Sequence, residues 1–178
     1  MSARYAVNTA KALEVILWLA SARPGIDVYH VVKGAFYADK WHVNHFGRPI
    51  AGDDYNADQY GPLGDVVYGL LKGDPIEILA LGGNGDLPFT VEGVFEVRPT
   101  RGPNTNRLSV SDIEALQHGL DFVADKTFDE LVEISHQDPA YIAADGGRMR
   151  YEDLLDPDDP DRKEKAAQLA ETAPSSAL

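Results

Sequence analysis

The sequence predicts an α+β fold: one predominantly helical domain over residues 1–155, a small antiparallel sheet within it, and a disordered acidic tail over 156–178. Three observations carry this expectation. Helical periodicity with capping signals recurs along most of the chain. The period changes to strand-like alternation between Ile76 and Val97. Composition shifts after Gly146-Gly147, and from about residue 155 onward carboxylates and small polar residues leave a segment unable to bury enough to order itself. A length of 178 residues suits one core.

The first helix is expected over Asn8–Ser21, capped by Asn8 or Thr9, apolar nearly all round apart from Lys11 and Glu14, and therefore central. Asp27 caps a second helix that runs to Phe46, where Gly47 and Pro49 stop it. Its apolar face carries Val28, Val32, Ala35 and Phe46, and also Asp39 and His42. A carboxylate there is costly unless it is hydrogen-bonded. Tyr55–Gln59 reads as a short extended piece, and Gly61-Pro62 as the start of a helix over Leu63–Leu71. The runs Ile76–Leu81 and Phe89–Val97, joined by Gly82–Asp86, read as a hairpin covering about 76–97. Ser111-x-x-Glu114 and Thr127-x-x-Glu130 match the capping box and open two more helices. The first of these buries Ile113, Leu116, Leu120 and Val123, the second Phe128, Leu131, Val132 and Ser135. Arg148–Tyr151 reads as a further short strand, and Arg162–Thr172 as a marginal helix if the tail orders at all.

Composition excludes several classes of function. With 16 Lys+Arg against 29 Asp+Glu the net charge is −13, which opposes general binding to a phosphate backbone. No cysteine is present, so thiol nucleophiles, disulfides and Cys-ligated metals are excluded. The longest apolar run, Val15–Ala20, falls far short of the about 20 residues a membrane span needs, and no targeting segment is evident. A soluble cytoplasmic protein is the expectation.

Two constellations suggest chemistry. Asp39-x-x-His42-x-x-His45 offers two imidazoles and a carboxylate to a divalent metal, the basis of a metal-dependent enzyme. Yet six helical residues turn through about 600°, so Asp39 and His45 diverge. The simpler role is structural: Asp39 pins a neighbouring loop through backbone N–H groups, and His42 supports it. Arg98, Arg101, Arg107, Arg148 and Arg150 would supply a patch for a DNA-binding regulator, or merely offset the acids. The glycines of Gly82–Asp86 lack the Lys-Ser/Thr ending and following helix of a phosphate loop. Aromatics are the larger resource. Tyr29, Tyr37, Trp41, Tyr55, Tyr60 and Tyr68 lie close together in sequence, and such rings dominate protein–protein hot spots. Tyr37, Trp41, Tyr55, Tyr60 and Pro62 are the candidate partner-binding residues.

The same region carries a resemblance. Phe36-Tyr37-Ala38-Asp39-Lys40-Trp41-His42, Gly47-Arg48-Pro49-Ile50 and Tyr55-x-Ala57-x-x-Tyr60-Gly61-Pro62, leading to Val67-Tyr68, resemble the Panacea domain of SocA-like antitoxins and related phage-associated proteins. The stretch from Leu108-Ser109 to Asp138-Pro139-Ala140-Tyr141 is similar to the domain's later half, with Tyr141 where a Trp is usual. The resemblance spans about Ala10 to Leu155. It implies a mostly helical domain with a small sheet, no catalytic residues and no cofactor. It also implies an antitoxin that binds a cognate toxin and, as a proteolytic adaptor, delivers it to the ClpXP protease.

Overall fold

The computed structural model describes residues 3–173. Among these are eight α-helices and two separate two-stranded antiparallel sheets, the mostly helical α+β class expected. Helix α1 (Thr9–Ala22) is capped by the Asn8 side chain, which accepts from Lys11 N. Ala12, Ile16, Leu17 and Leu19 of α1 are completely buried at the centre of the main core. Its two charges are buried as well, and each is matched. Lys11 Nζ lies 2.8 Å from Asp112, and Glu14 takes a two-pronged bond from Arg101 together with Asn104 N–H.

Helix α2 (Val28–Phe46) begins at Asp27, whose carboxylate accepts from His30 N, and ends at Gly47. It packs most intimately against α5 (Val110–Val123), where a Cβ added at Gly119 would stand 2.2 Å from the Gly34 carbonyl. Only glycine allows this backbone-on-backbone contact. Phe46 does not join the apolar face but lies 48% exposed beyond it.

The segment expected to open a helix at Gly61-Pro62 instead forms a strand. β1 (Tyr55–Asp58) pairs with β2 (Gly61–Gly64), Ala57 opposite Pro62 and Asp58 opposite Gly61. The tight connection demands φ +99° at Gly61, and a Cβ there would meet Ser135 Oγ at 2.2 Å. Helix α3 (Asp65–Lys72) therefore starts late, at Gly64, which has no side chain to cap it. Asp53 supplies the cap from the preceding loop, accepting from Val66 N and Val67 N.

Ile76–Leu81 is a helix rather than a strand. In α4 (Pro75–Leu81) the Asp74 side chain caps Ile76 N, and Pro75 occupies the first turn. A short apolar run fits either state, and this start signal decides between them. The hairpin is confined to β3 (Phe89–Glu92) and β4 (Glu96–Pro99), joined through Gly93-Val94-Phe95. Two further boundaries move. The capping box of α5 is Ser109 with Asp112, not Ser111 with Glu114. In α6 (Phe128–His136) Thr127 and Glu130 form the expected box, but Phe128 is 42% exposed.

Helix α7 (Pro139–Ala144) leads to an isolated bridge between Asn56 and Arg148 in place of a full strand, then to a 3-10 turn over Tyr151–Leu154. The expected disordered tail is ordered as far as it is described. Helix α8 (Arg162–Thr172) buries Leu169 completely in a second core with Tyr5, Phe36, Val43 and Leu154. Asn44 of α2 ties this segment down by donating to the Leu154 carbonyl and accepting from Asp156 N. The end of the tail, residues 174–178, lies outside the described residues. No described helix is long and apolar enough to cross a membrane.

Candidate partner-binding groove

The polar residues of α2 build the frame around the site. Asp39, 3% exposed, accepts from Ile50 N and from the Tyr55 hydroxyl, both at 2.7 Å. Burial pushes its pKa up to about 6 against the pull of those two donors. The Arg48 carbonyl can only accept, so His42 carries its proton on Nδ1, and Nε2 accepts from the Ser111 hydroxyl. Burial lowers the His42 pKa and keeps the ring neutral. Beside it, Asp112 gathers Lys11, Arg48 and Ser109 N–H; these outweigh the opposing effect of burial and hold its pKa low. Every charge in this knot has its partners.

The structure divides the aromatic group in three. Tyr55 is 4% exposed and Pro62 is also buried, so neither ring offers a surface to a partner. Their place in the β1–β2 hairpin turns them inward, Tyr55 toward Asp39 and the Pro62 carbonyl toward Lys33. Tyr37 and Trp41 line a cleft of about 700 Å³ with His118, Phe122 and the 156–165 segment. There Trp41 is stacked between His45 and His118, with centroids 4.0 and 4.3 Å away. Tyr60 lies elsewhere, 50% exposed, on a groove of about 720 Å³.

That groove runs between the first turns of α2, strand β2, helix α3, the start of α6 and the β3–β4 turn. Tyr29 contributes its floor. Its hydroxyl donates to the Tyr60 carbonyl, and its ring packs 4.4 Å from that of Phe128, which also meets Tyr60 at 5.5 Å. Leu63, Val32 and Leu71 complete an apolar lining. Over the edge stand Val94 and Phe95, 87% and 67% exposed. Phe95 has φ +62°, a left-handed conformation that costs a β-carbon residue about 1–2 kcal/mol. Main-chain bonds hold it there: Val28 N donates to Phe95 O, and Val97 N to Ile26 O. An aromatic ring kept in a strained conformation and in water is a feature of binding sites rather than of cores.

Lys33 forms the inner wall. It is 2% exposed, donates from Nζ to the Pro62 carbonyl at 2.7 Å and lies 5.0 Å from the centre of the Tyr29 ring. Burial lowers its pKa to about 7, with Asp58 opposing. Lys33 and the Val94-Phe95 lip lie outside the residues that the sequence singles out. The signal was present in the stripe Tyr29, Lys33, Tyr37, a lysine between tyrosines at helical spacing.

The other candidate chemistries do not assemble. Asp39 faces Ile50 and Tyr55, His42 faces Arg48 and Ser111, and His45 bonds to the Trp41 carbonyl beside an exposed ring. No cluster of three or more metal-ligating groups occurs among the described residues. Four of the five arginines are committed to carboxylates: Arg98 to Glu92 and Glu96, Arg101 to Glu14, Arg148 to Asp54 and Arg150 to Asp153.

Comparison with protein families matches residues 31–141 to the SocA-like antitoxin, Panacea domain. The match starts inside α2 and ends in α7, so it takes in Asp39, His42, Arg48 and Asp112 of the polar knot, Lys33, Tyr60 and the hairpin lip, while Lys11 precedes it. No curated protein and no solved structure matches the chain.

Proposed function

Because the chain belongs to the SocA-like, Panacea-domain antitoxin family, we propose that it neutralises a cognate toxin protein by holding it in the Tyr60–Phe95 groove, without catalysis of its own. The observation that carries this reading is the lip: Val94 and Phe95 are exposed and apolar, Phe95 is held in a left-handed conformation, and a partner's apolar surface would cover both side chains. Tyr29, Tyr60 and Phe128 add rigid ring area with polar edges, the composition of an interface centre.

In the same reading the protein is a proteolytic adaptor that passes the toxin to ClpXP. An adaptor needs a second surface, and the Trp41–His118 cleft, on the other half of α2, supplies one that does not overlap the groove. Co-expression with the toxin encoded beside the gene tests both parts. Copurification is expected, at least tenfold reduced by Tyr60→Ala with Phe95→Ala. Toxin lifetime in the presence of ClpXP and ATP is expected to shorten when this protein is added, and Trp41→Ala is expected to abolish the shortening while leaving copurification intact. Absence of copurification refutes the antitoxin reading; an unchanged toxin lifetime refutes only the adaptor step.

A further inference from the structure

Buried charges in this molecule are matched with opposite charge or several donors, and Lys33 departs from that pattern. Lys11 has Asp112, Glu14 has Arg101, Asp39 and Asp53 have two donors each. Lys33 has three N–H groups to place. Among the described residues it meets one carbonyl, that of Pro62, and the face of the Tyr29 ring. The charged groups around it are otherwise engaged. Asp58, at the rim, acts on Lys33 from a distance, forms no ion pair with it and accepts from Gln59 N. His30 bonds Asp27 and the Lys126 carbonyl, and Lys72 lies over the Tyr68 ring. Ser135, which a Cβ on Gly61 would strike beside Lys33 Nζ, spends its hydroxyl on the Val132 carbonyl.

An ammonium group at the inner wall of an apolar groove, short of acceptors, is half of a salt bridge. The remaining lining selects the other half. Tyr29, Phe128, Leu63 and Val32 surround the amine with apolar and aromatic surface, and Asp27 and Asp58 at the edges repel multiply charged anions. A monoanion on an apolar stem fits; a phosphate dianion does not. We propose that Lys33 is the receptor for a carboxylate, an Asp or Glu side chain of the toxin that enters the groove beside an apolar or aromatic residue. This rests on the groove being the toxin-binding surface. Lys33 must be charged to bind, so an amine that is largely neutral above about pH 7 takes up a proton from solvent as the carboxylate arrives.

The chemistry is testable without the toxin, using 3-phenylpropanoate as probe and 3-phenylpropanamide as its uncharged control. Both are titrated into the full chain, following backbone amide shifts of Lys33, Gly61 and Leu63 by NMR. The acid is expected to bind at pH 6.5 at least tenfold more tightly than the amide. Between pH 6.5 and 9 its affinity is expected to fall at least tenfold, while that of the amide holds. Lys33→Met is expected to erase the acid's advantage without lowering the melting temperature, since it removes an incompletely matched buried charge. The pH dependence of the natural chain is read without any variant. Equal binding of acid and amide, no binding of the acid at these amides, or a preference that survives Lys33→Met overturns the proposal. So does undiminished copurification of the toxin with Lys33→Met. Undiminished copurification with Tyr60→Ala and Phe95→Ala is a different failure: it removes the groove reading itself.

Discussion

Asp39 and Lys33 sit six residues apart on one helix, equally withdrawn from water, and the fold treats them in opposite ways. Asp39 is met by Ile50 N–H and the Tyr55 hydroxyl inside a knot whose every member has partners. Lys33 is met by one carbonyl on the wall of an open groove. A buried carboxylate held by donors from two other segments ties the chain to itself, although burial still opposes its ionisation. A buried charge whose hydrogen-bonding capacity is partly filled costs the folded state free energy and retains interaction strength for something else. The same helix thus carries a structural end and a receptive end.

The sharpest way to break the structural end is Asp112→Ala. It strands Lys11, which is almost fully buried, and unlinks Arg48 and Ser109 N–H. A loss of about 3–5 kcal/mol in urea denaturation is expected. Next is the alkaline limb of stability. Native Lys33 titrates at about 7 and the unfolded lysine at about 10.4, so between these values the unfolded chain binds more protons and stability rises with pH. The expected rise is roughly 3–5 kcal/mol, and its absence in Lys33→Met assigns it.

Asp39 and Asp53 titrate near 6 and 7 when folded, above the unfolded value of about 3.9. For them the native state binds more protons between about pH 4 and 7, so stability falls as pH rises through that window. Together with Lys33 this places a stability minimum near neutrality, which Asp53→Asn makes shallower. Smaller still is Phe95→Gly. Relief of the left-handed φ stabilises by about 1 kcal/mol while the missing ring weakens toxin capture, so stability and binding move apart. Arg98→Ala comes last. Its exposed partners Glu92 and Glu96 leave the melting temperature where it was.

Local signals were legible where one residue decides. Asn8, Asp27 and Thr127 with Glu130 mark helix starts that the structure keeps. Asp74-Pro75 is an equally good start, but the apolar run behind it also fits a strand, so sequence alone reads α4 as half a hairpin. At α5 two serines compete, and Ser109 wins because Asp112 reaches back to its N–H. The β1–β2 pairing was hidden because it depends on the room beside Ser135 that Gly61 leaves, a fact of tertiary packing. For the tail, the alternative to disorder, a helix over Arg162–Thr172, is the state observed; composition undervalues it because Leu169 and Ala173 join a core built by Tyr5, Phe36 and Leu154. For the site, the aromatic density around α2 points to the helix that borders both the groove and the Trp41 cleft. It could not separate Tyr55 and Pro62, facing inward, from Tyr60, facing out. For Lys33 the stripe of tyrosines at helical spacing is a weak signal, outweighed because a lysine ordinarily reads as solvated.

With the Gly34 carbonyl resting against Gly119, α2 and α5 are locked like the flanges of a beam. A partner gripped at the lip would therefore bear on the whole frame rather than on one helix. Widening residue 119 to alanine would pry the beam apart and shift both faces of α2 at once, leaving every ring and charge of the groove in the sequence but none in register.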